Sequence, residues 1–138
     1  MTIRIIILLV LLIIISVTDI RTRKIPNYLI IITAAASLLR LFEPEEVSLL
    51  QYLSGLIPSI AILLLSIFLK HFSHKRLLGG GDIKLIAALS LHLGFTDTLI
   101  TVLIASILGI VFFLIDHNHK FPFAPMLSAA VIIVIFFN

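Results

Sequence analysis

Two aspartates carry most of the chemistry this chain could do, Asp19 and Asp82. Asp82 stands in Leu77-Leu78-Gly79-Gly80-Gly81-Asp82-Ile83-Lys84, where a run of glycines and two ionisable side chains meet a mostly apolar stretch ending near Leu93. As a helix, residues 83–94 reach only about 18 Å at 1.5 Å per residue. A hydrocarbon core is roughly 30 Å thick and takes about 20 residues. A span here must therefore take in the glycines, Asp82 and Lys84. Loose backbone at membrane depth survives only where protein surrounds it or water reaches it. An acid held at that depth is a functional-site candidate by default. Asp19 closes the first apolar segment, next to Ser16 and Thr18.

If the two acids share one site, they cannot both ionise easily and hold a proton between them. Such a pair offers a base to activate water and an acid to protonate a leaving group, as in aspartic proteases. Glycines beside one acid let a substrate backbone come close, because no Cβ stands in the way. Peptide hydrolysis at the cytoplasmic membrane face fits this chemistry.

The elements that must position these acids are helices in a membrane. The chain has 138 residues, 61% of them hydrophobic, with a mean hydropathy of +1.28. That composition belongs to the membrane class and leaves room for a single integral membrane domain over residues 1–138. There is no cysteine, which excludes disulfides and thiolate zinc sites. No nucleic-acid partner is expected, because the basic residues are few and sit in short loops. The first apolar run lacks a small-residue cleavage pattern after it and reads as a retained span.

Six helical segments follow from the hydropathy. They cover about residues 3–20, 27–42 and 49–69, then the glycine–aspartate segment closing at Gly94, then 99–115, and last a segment running from the prolines near 122–125 to the end. Pro26 suits the first turn of the second helix, and Pro58 is a candidate kink in the third. Continuous apolar runs argue against a membrane barrel, whose strands would alternate. The expected architecture is an all-α polytopic bundle of about six transmembrane helices.

Loops after the first, third and fifth segments hold Arg21, Arg23, Lys24, Lys70, Lys75, Arg76 and Lys120. The other side has Arg4 and Arg40 with Glu43, Glu45, Glu46 and Asp97. The positive-inside rule then puts the first set in the cytoplasm and both termini outside. On that topology Asp19 closes one segment and Asp82 opens another at the same membrane level.

Structural readings compete with each functional one. Asp19 could be solvated beside Arg21 and Arg23, and Asp82 could cap its own helix. Lys84 could snorkel or neutralise Asp82. The loop Asp116-His117-Asn118-His119 invites a metal, yet no second cluster matches it, and no metal or other cofactor is expected. His92 is expected to be hydrogen-bonded inside the bundle. Two other function classes stay open on the residues alone: a small proton-coupled transporter, since buried Asp and Lys also mark ion paths, and a non-catalytic membrane subunit.

Asp19-Ile20-Arg21-Thr22-Arg23-Lys24-Ile25-Pro26-Asn27 resembles the first aspartate motif of type IV prepilin peptidases. Gly79-Gly80-Gly81-Asp82-Ile83-Lys84-Leu85 resembles their second, the G-x-G-D motif followed by x-K-L, and Phe121-Pro122-Phe123-Ala124-Pro125 is similar to their P-F-G-P element. The resemblance implies a membrane aspartic endopeptidase that removes the short basic leader of prepilins or pseudopilins. Asp19 and Asp82 would be the catalytic pair, sharing a water nucleophile without a metal. Gly79, Gly81, Lys84, Pro122 and Pro125 would face the substrate. The larger bifunctional members carry an N-terminal cytoplasmic region, often with paired cysteines, and also methylate the new N-terminus. This chain begins directly with a span and has no cysteine, so it looks like the short, peptidase-only members serving Tad/Flp-type pili. Ala124 stands where the family usually has glycine.

Overall fold

Long runs of Ile, Leu and Val with no breaker form helices, because in an apolar medium each backbone polar group must find its partner within the segment. In the computed structural model, residues 2–42, 48–73, 79–115 and 123–137 are described, and these are helical apart from short turns. Helix α1 (Thr2–Thr22) ends at Arg23, which takes a left-handed φ of 53°. The Arg23 N–H there donates to the Asp19 carbonyl at 2.8 Å. The turn delivers the chain to Pro26, at the N-cap of α2 (Asn27–Ser37), which tightens into a 3-10 turn over Leu38–Phe42. Helices α3 (Leu49–Ser54) and α4 (Leu56–Ser73) follow, then α5 (Gly80–Leu93), α6 (Phe95–Ile115) and α7 (Phe123–Phe137).

Five of these helices close a ring. α1 packs on α2 and α7, α7 on α6, α6 on α5, and α5 on α2, while α4 lies outside against α5 and α6. The buried face of α1 is Leu8, Leu11, Leu12, Ile15 and Asp19, a stripe at helical spacing. On α5 the corresponding stripe is Leu85, Ile86 and Leu89, with Asp82 one turn before it. These side chains meet Leu29 of α2, Ala105 of α6, and Ala124, Leu127, Ala130 and Val131 of α7 in one core. Ala105, Ala124 and Ala130 are fully buried, and such small residues let helices approach closely where lipid offers no hydrophobic drive.

The outer surface is apolar too: Ile6, Ile13, Ile31, Leu64, Phe68, Leu103, Ile107 and Ile110 are all exposed. Water-soluble monomers rarely show so continuous an apolar exterior. Among the described residues two helices, Ile3–Thr22 and Phe95–Ile115, are long and apolar enough to cross a membrane, and Asn27–Arg40, Tyr52–Phe68 and Phe123–Phe137 are shorter apolar helices.

Three details differ from the sequence-based expectation. The third segment breaks at Gly55 rather than kinking at Pro58, which sits in the first turn of α4 where its missing N–H costs nothing. Gly55 passes so near the Ser90 carbonyl oxygen of α5 that a Cβ there would collide with it. Next, α6 begins at Phe95 instead of residue 99. Gly94, at φ 87°, reverses the chain in one residue, and a Cβ on it would lie 2.9 Å from the Arg40 guanidinium. Last, Gly80 and Gly81 are helical, so the glycine run opens α5 in place of a loose segment.

α5 is about 21 Å long, and its final carbonyls lack helical partners. Arg4 donates to the His92 carbonyl at 2.7 Å and Arg40 to the Leu91 carbonyl at 3.3 Å. Two guanidinium groups thus close the negative end of a helix that is short for a bilayer.

Candidate active site

Asp19 lies in the last turn of α1 at 6% exposure. Its position four residues after Ile15, itself fully buried, turns the carboxylate into the ring. Oδ2 accepts the backbone N–H of Ala124 at 3.2 Å, a bond across 105 residues of sequence. That N–H belongs to the first turn of α7, where helix donors lack internal partners and the dipole favours an anion.

Asp82 occupies the third position of α5 and is partly buried. Its Oδ2 accepts the N–H of Gly79, the N-cap residue, at 3.2 Å. This is the return half of a capping box, so the capping reading of Asp82 holds as far as one oxygen. Asp19 is close enough for its charge to act on Asp82. Among the described residues, the Oδ1 atom of each aspartate has no protein hydrogen-bond partner, which leaves one oxygen of each for water or a substrate amide.

The chain between the acids is tied at the same end. Gly81 packs against Ile25, where an added Cβ would sit 3.4 Å from the Ile25 Cβ. Lys84 is exposed, and its Nζ donates to Asn27 Oδ1 at 3.1 Å. The turn after Asp19 and the first turn of α5 are therefore joined twice.

The expected site residues fall as follows. Asp19, Asp82, Gly79, Gly81 and Lys84 gather at one end of the ring, and Pro125 lies in the first turn of α7 beside Ala124. A Cβ on Gly79 would stand 2.9 Å from Asp82 Oδ2, so glycine there keeps the carboxylate unobstructed. Pro122, Asp116, His117, His119, Lys75 and Arg76 lie outside the described residues, whereas Lys70, expected in the second basic loop, falls within α4, which runs on to Ser73. His92 is at the far end of α5, buried, with Nε2 2.9 Å from the Thr33 carbonyl. A carbonyl only accepts, so Nε2 carries the proton. Among the described residues no group of three metal-ligating side chains occurs.

Several participants escaped the sequence reading: Asn27, Ser16, Ser128 and the Ala124 N–H. Ser16 had a signal, since it precedes Asp19 by three residues and shares its helix face. The Ala124 donor is a backbone group, and side-chain types do not announce it.

The described residues form a helical bundle with an apolar exterior and with carboxylates from two helices at one mouth, the class of a helical membrane protein. The profile of the type IV leader peptidase family matches residues 6–114. This chain belongs to that family. The matched span contains both aspartates, whereas Ala124 and Pro125 lie beyond it. Comparison with curated proteins and with solved structures found no match.

Proposed function

We propose that this chain is a membrane endopeptidase that removes the N-terminal leader of type IV prepilins or pseudopilins at the cytoplasmic membrane face, with Asp19 and Asp82 activating water. The observation that supports it best is the pair of carboxylates, distant in sequence, at one end of the ring with one oxygen of each uncommitted. One carboxylate takes a proton from water as the oxygen attacks the scissile carbonyl. The other gives a proton to the departing amine, so the pair ends one turnover with the proton count it began with. The family's peptidase chemistry is of this class.

The six-span arrangement belongs to the same proposal. The basic turn Arg21–Lys24 (residues 21–24) faces the cytoplasm by the positive-inside rule, which puts the acid pair where a basic leader waits while its hydrophobic helix stays in the bilayer. Gly79 and Gly81 admit the substrate backbone, and Lys84, Pro122 and Pro125 border its path. No cofactor takes part.

The test is cleavage of a purified prepilin by wild type, Asp19→Asn and Asp82→Asn. Each variant is expected to lose at least about a thousandfold in rate, and Asp116→Asn to stay near wild type. Full cleavage by either dyad variant removes the pair from the mechanism. Proton flux into proteoliposomes without proteolysis, abolished by the same substitutions, makes the chain a transporter.

A further inference from the structure

The contact that holds Asp19 is itself held. The Ser16 hydroxyl donates to Ser128 Oγ at 2.8 Å, across 112 residues of sequence. Ser128 spends its own proton on the Ala124 carbonyl at 2.9 Å, one turn back along α7. Ala124 in turn donates its N–H to Asp19, and Asp19 stands three residues from Ser16 on α1. The four residues form a closed circuit in which each hydroxyl has one acceptor. Ala124 is fully buried and Ser128 is 6% exposed, with Ile15 and Leu127 on either side at 0% and 1%. Ser16 is half-buried, and on the buried α7 side of the circuit a broken bond is costly, because a buried polar group left without a partner keeps its full desolvation penalty.

The circuit also fixes register. Sliding α7 along α1 by one residue, about 1.5 Å, would part Ser16 from Ser128 and Ala124 from Asp19 together. Pro125 has no N–H, which takes one donor out of the first turn of α7 and leaves that of Ala124 turned to the carboxylate.

We propose that Ser16 and Ser128 are positioning residues that set the height of α7 so that its first turn holds Asp19, and that Ala124-Pro125 serves this purpose before any contact with substrate. The kinetic part rests on the peptidase reading; the circuit does not.

The experiment compares Ser16→Ala, Ser128→Ala, the double variant and Ser16→Thr in the full chain. Each alanine variant is expected to lower kcat roughly five- to tenfold, the scale of one hydrogen bond, with KM unchanged. The double variant falls no further than Ser128→Ala, which already breaks both the bond from Ser16 and the bond to the Ala124 carbonyl, and Ser16→Thr keeps wild-type kcat. Independently of substrate, labelling of Asp19 by a hydrophobic carbodiimide, read by peptide mass spectrometry, rises several-fold in the alanine variants while labelling of Asp82 stays constant. Alanine variants that keep wild-type kcat and wild-type labelling overturn the proposal. So does a fall in kcat with unchanged Asp19 labelling, which would mark a general loss of packing. If wild type cleaves no leader, the peptidase reading fails while the labelling still decides the circuit.

Discussion

Asparagine is the informative substitution at both acids because it separates chemistry from architecture. The Asn amide oxygen still accepts the Gly79 N–H at position 82 and the Ala124 N–H at position 19, so the variants keep their helix ends. Alanine at 82 removes the carboxylate and the cap together. Asp82→Ala should therefore unfold in detergent with about 0.5–2 kcal/mol less stability than wild type, whereas Asp82→Asn should stay close to it; equal losses would mean the Gly79 contact carries no weight. Lys84 and Asn27 make a second residue-scale case. An exchanged pair, Asn27→Lys with Lys84→Asn, can rebuild the bond in reverse. Cleavage reduced in each single variant and recovered in the exchange is expected. Loss that persists in the exchange, with raised KM, would assign Lys84 to the substrate.

At the scale of elements, α5 is organised by what its ends touch. Its N-terminal end meets Ile25 and Asn27, its last turn meets Gly55, and its final carbonyls meet Arg4 and Arg40. Gly55→Ala puts a methyl group into the Ser90 carbonyl, a backbone atom that yields only if α4 moves away. The expected cost is about 1–3 kcal/mol, seen as a lowered unfolding temperature in micelles; a variant as stable as wild type would contradict the close approach of α4 and α5. The helices themselves were legible from hydropathy, since uninterrupted apolar runs leave few alternatives. Their junctions were not. Pro58 reads as a breaker by type, but a proline in a first turn breaks nothing, and the true break at Gly55 comes from a tertiary approach that spacing does not encode. The reversal at Gly94 likewise depends on Arg40, distant in sequence. Of the candidate site, the two acids stood out as candidates because ionisable residues are conspicuous in apolar runs, while the Ala124 N–H and the serine circuit depend on how α1 meets α7.

For the whole molecule, the ring has two unlike ends. One carries the acids with Arg21, Arg23 and Lys24, all three exposed. The other carries Arg4 and Arg40, the two exceptions to the charge asymmetry, and both are committed to carbonyls of α5. Under the proposed orientation these two charges lie on the side away from the cytoplasm and are used inside the fold. Because the chain has no cysteine, single cysteines report topology cleanly. On spheroplasts a membrane-impermeant maleimide should label Thr96→Cys at once and Lys24→Cys only after permeabilisation; the opposite order would invert the orientation and move the acids away from the cytoplasm.

The proposed function requires that the carboxylates at 19 and 82 serve one reaction site. Its most direct test is the variant carrying Asp19→Cys and Asp82→Cys in native membranes, treated with bifunctional thiol reagents of graded length. Cross-linking by the shortest reagents, in high yield, is the predicted result. Product only from linkers longer than a helix diameter, about 10 Å, would mean a helix stands between the two positions and would contradict the shared site.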